Sequence, residues 1–344
     1  MVTAIENPGL NLDWLNLETD DEFDIQTGRK GVTLQSINQR MAGADGVDQA
    51  DWRSFAPRGI EADPRSNAHA RQYRDKGDVW SESAMLLYEE ALQRQWSSAR
   101  DIPWDTIGDQ PDDIEKAMCT LCTFLTQVEF IAGDVPGRFL ESVHPDFFES
   151  QLFLGTQLMD EARHLDVFRK RVLVNGGGMS PAGLGAVGLL AIDDFTEMTA
   201  ILHLFAEGLV QSLFRMGELI GQNEAEKRMF RLSAQDESRH LAFGVTHTKY
   251  TVETQPWRKE ELHHYLDINE TVQNTQAGLT TNPITGEALA VLAGGGIEYL
   301  DEGYNLVMLM RKKQINEYYH RLQVVGLGDR LDRMAPDLRE LITV

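Results

Sequence analysis

Two pentads, Asp160-Glu161-Ala162-Arg163-His164 and Asp236-Glu237-Ser238-Arg239-His240, each follow a glutamate embedded in an apolar run, Glu129 and Glu207. From that glutamate to the pentad glutamate the separations are 32 and 30 positions. This pairing constrains the fold more than any bulk property of the chain. Within each pentad Glu and His stand at i and i+3, on one helix face, where both can reach one ion. In an antiparallel helical hairpin two residues share a height only if the turn falls midway between them. The midpoints are positions 145 and 222, where the chain reads His144-Pro145-Asp146 and Gly221-Gln222-Asn223, both turn signals. About 15 residues of helix per arm would bring each upstream glutamate level with its partner, roughly 22 Å from the turn. The geometry of both hairpins closes.

Spacing alone is a weak signal in a chain with 54 acids and nine histidines among 344 residues. Glu141/His144, Glu260/His263, Glu261/His264 and Glu317/His320 share the E-x-x-H pattern. The first runs into Pro145, and the second and third sit in a charged segment, Arg258 to His264. Glu317 has Glu287 thirty residues upstream, but the midpoint falls inside what reads as one continuous helix. The two pentads differ in lying within apolar helices. An apolar core does not accept four carboxylates unpaired. Either cations lie among Glu129, Glu161, Glu207, Glu237, His164 and His240, or these are surface charges that pair within their helices. Two divalent ions would neutralise four carboxylates, and oxygen plus imidazole ligation without thiolate suits iron or manganese better than a closed zinc site.

The remaining sequence reads as all-α. Residues 1–77 are polar and form an expected arm, and residues 78–344 a single helical domain, with the metal-binding bundle at about 112–252. Expected helices cover 79–99, 112–144 with a disturbance at Pro136-Gly137, 146–174, 193–220, 224–252, 260–278 and 285–324. The Gly-rich stretch 176–188 reads as a crossover; neither G-K-[ST] nor a preceding strand accompanies it, so it does not resemble a phosphate loop. The two cysteines, Cys119 and Cys122, exclude a disulfide scaffold, and within an apolar helical run they read as small buried residues. A formal charge of -22 argues against nucleic acid or anionic lipid as general partners. No apolar run reaches the roughly 18 residues of a membrane span. The N-terminal residues lack the basic and apolar regions of a signal peptide, and the expected location is the cytoplasm.

The repeated pattern of Glu followed by D-E-x-R-H resembles the ferritin-like di-iron carboxylate oxygenases over about residues 112–251. That superfamily includes bacterial multicomponent monooxygenase hydroxylases, arylamine N-oxygenases and the radical-generating subunit of class I ribonucleotide reductase. The resemblance implies a ferritin-like four-helix bundle with additional N- and C-terminal helices. Glu129, Glu161, His164, Glu207, Glu237 and His240 would hold two iron ions, or manganese and iron, with Glu161 and Glu207 bridging or shifting. Asp160 and Asp236 would hold the imidazole of the opposite half, and Arg163 and Arg239 would neutralise them. His203, one turn before Glu207, stands as a substrate contact, a seventh ligand or a hydrogen-bonding neighbour.

Cys122, Leu125, Thr126, Gln157, Phe168, His203, Gln211 and Phe243 are the pocket candidates, closed over by flanking helices in 80–104 and 294–324. The implied activity is O2-dependent oxidation of a small organic substrate by hydroxylation, N-oxygenation, epoxidation or desaturation. The chain has no flavin, dinucleotide or iron-sulfur fingerprint, so a separate ferredoxin or flavin reductase would supply electrons, and a homodimer is expected. The chain also departs from the family. Phe168 stands where common reductase subunits carry a radical tyrosine, Gly244 follows one turn after His240, and Ser233 replaces the extra histidine of the N-oxygenases. Leu202 and Ile131 stand where a tyrosine–valine cross-link of ligand-binding oxidases would need those residues. Alternatives are a reductase-like radical-generating or ligand-binding Mn/Fe oxidase and, outside catalysis, a metal-binding or storage bundle.

Overall fold

A computed structural model describes residues 15, 25–40, 43–50, 58, 72–174, 178–180, 187–274 and 283–343. Among these the only extended pairings are isolated bridges, such as Tyr73 with Val143, and the protein is all-α. Short helices α1 (Leu34–Asn38), α2 (Lys76–Val79) and α3 (Ala84–Gln93) precede α4 (Asp112–Gly137) and α5 (Phe148–Val174). Helix α6 (Phe195–Met198) runs through a π-helical stretch, Thr199–Ala206, into α7 (Glu207–Ile220), and α8 (Glu224–Thr254) follows. Then come α9 (Lys259–Asn274), α10 (Pro283–Gly294), α11 (Leu300–Val324) and α12 (Pro336–Arg339).

Local chemistry sets the key ends. Asn223 caps α8 by accepting from the Glu226 amide at 3.0 Å, which closes the tight α7–α8 turn. Asp194 caps α6 in the same way, accepting from Glu197 N at 2.9 Å. The α4–α5 turn is looser than a midpoint at Pro145 implies. Helix α4 stops at Pro136-Gly137, where proline lacks an amide hydrogen, and the chain takes residues 138–147 to reach α5.

Side-chain pairing orders the bundle. His164 on α5 meets Asp236 on α8, and His240 on α8 meets Asp160 on α5, so the two helices run antiparallel. Each is also antiparallel to its own hairpin partner, so α5 and α7 are parallel. The chain between them must return along the bundle, the single long crossover of a ferritin-like fold. Of the Gly-rich stretch expected as this crossover, residues 175–177 and 181–186 lie outside the described residues. One aromatic core, with Met118, Phe168, Phe214 and Phe230, lies on one side of the histidines, and a second, with Phe153, Phe195 and Phe243, on the other. Phe214 meets His164 edge-on at 6.1 Å between ring centres, and Phe153 meets His240 at 6.4 Å.

Other expectations are corrected. The helix expected over 79–99 breaks after Val79, where Ser81 and Ser83 hydroxyls each lie 2.6 Å from Thr246 Oγ1 on α8. It ends at Gln93, and residues 94–103 are not helical, so the flanking element in 80–104 is mostly a packed loop. The single helix expected over 285–324 is two, because Gly295 (φ 81°) and Gly296 (φ 144°) take conformations that side chains other than glycine resist. Helix α4 is long and apolar enough to cross a membrane, contrary to the sequence expectation; here it is a core helix packed between α5 and α10. Most of residues 1–71 lie outside the described residues, but Ala44, Ala50 and Tyr73 are buried against the body and Lys76 Nζ donates to Ala44 O at 3.0 Å.

Helix α10 supports α4 on one side and crosses α11 on the other. At that crossing a Cβ on Gly303 would lie 1.8 Å from Ala290 O and 2.7 Å from Gly294 N, both main-chain atoms. Gly303→Ala is therefore expected to destabilise the protein by about 3 kcal/mol, read as a lower urea midpoint.

Candidate metal centre

The six predicted ligand residues converge in the middle of the bundle. Glu129 comes from α4, Glu161 and His164 from α5, Glu207 from the first turn of α7, and Glu237 and His240 from α8. None is more than 3% exposed. They fall into two overlapping groups, Glu129, Glu161, His164 and Glu237, and Glu161, Glu207, Glu237 and His240, with the ligand atoms of each group within 4.8 Å of one another. Glu161 and Glu237 belong to both groups. The shared pair is thus the two pentad glutamates, whereas the resemblance implied Glu161 and Glu207.

Both imidazoles turn Nδ1 toward the carboxylates. His164 Nδ1 lies 3.5 Å from Glu129, 3.4 Å from Glu161 and 3.2 Å from Glu237. His240 Nδ1 lies 3.1 Å from Glu161, 3.2 Å from Glu207 and 3.3 Å from Glu237. The other nitrogen of each ring faces an aspartate of the opposite half: His164 Nε2 to Asp236 at 3.2 Å and His240 Nε2 to Asp160 at 3.3 Å. An Nε2 proton held there leaves Nδ1 as a lone-pair donor, the tautomer a metal requires. The aspartates join Arg163 and Arg239 in a closed ring. Arg239 donates to Asp160 at 2.7 Å and Asp236 at 2.6 Å, and Arg163 donates to Asp160 and, at 3.1 Å, to Asp236.

Whether this cluster fits cations is tested by its own atoms. Glu129 Oε1, both Glu161 oxygens, Glu237 Oε2 and His164 Nδ1 are buried and make no hydrogen bond. Unpaired acceptors crowded in an apolar core are what a cation compensates. Oxygen and imidazole donors without sulfur form a hard set, and the cluster fits a di-metal site.

Without ions the cluster is neutralised by protons. Burial pushes Glu129 and Glu207 well above the usual carboxylate range, with neighbouring glutamate charges adding to the effect. In Glu161 burial also opposes the charge, but the His240 and His164 imidazoliums outweigh it and hold this carboxyl below its usual range. Glu237 is likewise low, against burial and the Glu161 charge, because Glu207 and both histidines beside it stabilise its negative charge. Burial would depress the two histidines, yet Asp236 and the glutamates around His164, and Glu207, Glu161 and Asp160 around His240, raise both.

Several residues around the centre were not legible in the sequence. Trp96, after α3, donates from Nε1 to Asp236 at 2.7 Å and stacks on His164 at 6.4 Å, and Gln95 accepts from Arg163. Nothing in the spacing marked them. His203 joins neither group of converging atoms. Its Nε2 lies 3.0 Å from Gln157 Oε1, and Gln157 Nε2 donates to Glu207 at 3.3 Å, so His203 reaches the site through Gln157. Burial draws its pKa down to about 3, and the ring is neutral. Gly244 has a role in this packing: a Cβ there would stand 2.5 Å from His203 Cβ and 3.0 Å from Leu204 N, so glycine lets α8 touch the π-helical stretch.

The structure places the eight pocket candidates away from its open cleft. A cleft of about 490 Å³ opens between α4 and α5, and none of the eight predicted residues borders it. Cys122, Leu125, Phe168 and Phe243 are plain core, with Phe168 packed on Phe214 at 5.3 Å and Phe243 on Phe153 at 4.2 Å. Thr126 bonds its own helix at Cys122 O, and Gln211 bonds Ser238. The cleft runs from the buried Glu129 and Glu161, past Phe130, Gly133, Gly137, Leu158, Ala162 and Leu165, to the exposed Asp134 and Arg138. A signal existed: Gly133 and Gly137 follow Glu129 at one-turn intervals, and small residues on that face keep α4 from filling the space.

The rival E-x-x-H pairs hold no such cluster. His144 caps the turn before α5, accepting from Asp146 N, while Glu260 pairs with Arg333, Glu261 with Arg258 and Glu317 with Arg215. Cys119 and Cys122 are buried free thiols, and burial raises both, Cys119 to about 11.

No protein-family model and no curated protein matches the chain. Among solved structures it is similar to R2-like ligand-binding oxidases. One, a point variant with an aerobically reconstituted Mn/Fe cofactor, is 17% identical, covering 71% of this chain and 94% of that one at a TM-score of 0.49. Another, with its metal cofactor after photoconversion, is 16% identical, covering 77% of this chain and 94% of that one at the same score of 0.49. The functional reading rests on the cluster itself.

Two outcomes are expected of the centre. Glu161→Ala or His240→Ala abolishes two-ion binding in a metal count per chain, while Glu317→Ala retains it; equal loss in all three would contradict the assignment. Binding divalent ions must also expel the protons that the raised Glu129, Glu207, His164 and His240 hold, so apparent affinity rises with pH. Proton release on adding Mn(II) to weakly buffered, metal-free protein measures this, and a pH-independent affinity would refute it.

Proposed function

We propose that the protein is an O2-using two-metal oxidase acting on a small, largely apolar organic substrate that enters through the α4/α5 cleft. The observation that supports this most is the set of unpaired buried carboxylate oxygens, with His164 Nδ1, in two overlapping four-residue groups. Two iron ions, or manganese and iron, bound by those six residues would supply the redox and Lewis-acid chemistry toward dioxygen.

The chain's own residues do the rest. Asp160 and Asp236 keep a proton on Nε2 of each histidine and so hold both rings in one tautomer and orientation. The Asp–Arg ring satisfies its own charges, so the aspartates do not compete as ligands. The cleft brings a substrate against Glu129 and Glu161, and its apolar walls favour an alkyl or aryl group over water. Arg138 donates to Leu190 O at 2.9 Å and Ile192 O at 3.0 Å, which fixes its guanidinium at the mouth beside Asp134. Electrons would come from a separate ferredoxin or flavin reductase. Hydroxylation, N-oxygenation, epoxidation and desaturation all fit this arrangement.

The test is anaerobic loading with Fe(II), or Mn(II) plus Fe(II), a metal count, and oxygen uptake with and without candidate apolar substrates. Two ions per chain and substrate-accelerated oxygen uptake support the reading; mineral loading beyond two ions would replace it with storage, and a persistent radical with a reductase-like function. Filling the cleft separates access from metal binding. A Cβ on Gly133 sits 3.5 Å from Glu161 Cβ, so Gly133→Leu is expected to keep both ions. The same substitution should lower substrate-dependent turnover by about 100-fold through lost positioning. Unchanged turnover would exclude the cleft as the route.

A further inference from the structure

We propose that α11, a helix outside the four-helix bundle, sets the position of Glu207 by gripping the main chain on both sides of it. The inference rests on the reading that Glu207 faces one of two ions. Glu207 closes the π-helical stretch: its amide donates to Leu202 O, five residues back. A π turn carries one residue more than an α turn, so relaxing this stretch to α-helix would rotate Glu207 by about 100° around the axis, away from Glu161, Glu237 and His240. Such stretches persist where surrounding contacts hold them.

Two side chains of α11 make those contacts. Arg321 Nε donates to Leu204 O at 3.1 Å, three residues before Glu207, and Gln314 Nε2 donates to Leu209 O at 2.8 Å, two residues after it. Both side chains are buried, with Arg321 8% and Gln314 5% exposed. Between these bonds the guanidinium lies on Gly208, where a Cβ would come within 2.2 Å of Nη2. Glycine beside Glu207 leaves that space to the cation, and Nη2 makes no hydrogen bond among the described residues. A guanidinium buried with no carboxylate partner among the described residues is costly, and its donor is spent on the carbonyl that fixes this turn. Arg321 and Gln314 are positioning residues that act through the backbone and touch no substrate or ion. The Glu129 side of the centre has no counterpart: α10 packs on α4 without a π turn to hold.

The full chain is titrated with Mn(II), counting ions after dialysis and recording the electron paramagnetic resonance spectrum, for wild type, Arg321→Met, Gly208→Ala and Gln314→Leu. Circular dichroism establishes that each variant is folded. The expected result is two ions in wild type and, in the variants, one ion unchanged and the other bound at least about tenfold more weakly. The residual one-ion spectrum should match that of Glu207→Ala and differ from that of Glu129→Ala, a signature that general destabilisation would not produce. Folded variants that keep both ions at wild-type affinity, or lose both in parallel, would overturn the inference while leaving the two-metal reading intact. A wild-type chain that binds no ion pair would remove both. If Arg321→Met does not fold, Gly208→Ala carries the test, since there only the flexible end of Arg321 has to move.

Discussion

Four glutamates buried in one apolar core are the constraint on which the rest of this structure depends. Each would cost several kcal/mol if left charged and unpaired. The chain answers in two layers. Inside, two imidazoles and four carboxyl groups share protons or, when loaded, cations. Outside, Asp160, Asp236, Arg163 and Arg239 form a ring that is neutral in itself and holds both imidazoles by their far nitrogens. That ring also pins α5 against α8, since its members come in equal number from each helix at mirrored positions. Electrostatic satisfaction and helix register are here one requirement, and slipping either helix by a turn would break both.

The repeated motif does not make a symmetric site. On the Glu129 side α4 carries Gly133 and Gly137, and the space they leave is an open cleft that ends at Glu129 and Glu161. On the Glu207 side the helix is closed in by His203 and Gln157 beneath the carboxylate, by α8 at Gly244 and by α11 behind the main chain. Trp96 adds a further difference, since it bonds Asp236 and not Asp160. One half of the centre lies beside an open cleft, and the other is enclosed by packed side chains. In the proposed two-metal oxidase that division would give the reacting groups access while the ligand geometry is held.

Much of the site was legible because helices convert sequence spacing into geometry. The i and i+3 offset of Glu161 and His164, and of Glu237 and His240, places each pair on one face whatever the surroundings. The 30-residue separations then predict hairpins that return each upstream glutamate to its partner. For α7 and α8 the turn lies where the midpoint requires; for α4 and α5 the bundle tolerated ten residues outside α-helix after Gly137 and still aligned Glu129. Helical distance from a ligand does not locate open space: Phe168 and Phe243, one or two turns from the ligands, point into the aromatic cores, while the open side is the one where two glycines leave room.

The sequence by itself determined the helical class, the two hairpins and the six clustered side chains, because these follow from periodicity and local spacing along single helices. Only the tertiary structure decided which glutamates are shared, where the cleft opens, that Trp96 joins Asp236 and that α11 holds the turn before Glu207. Those contacts join residues far apart in the chain, such as Leu204 with Arg321. No local pattern encodes them; they exist only once packing has chosen which helix faces meet.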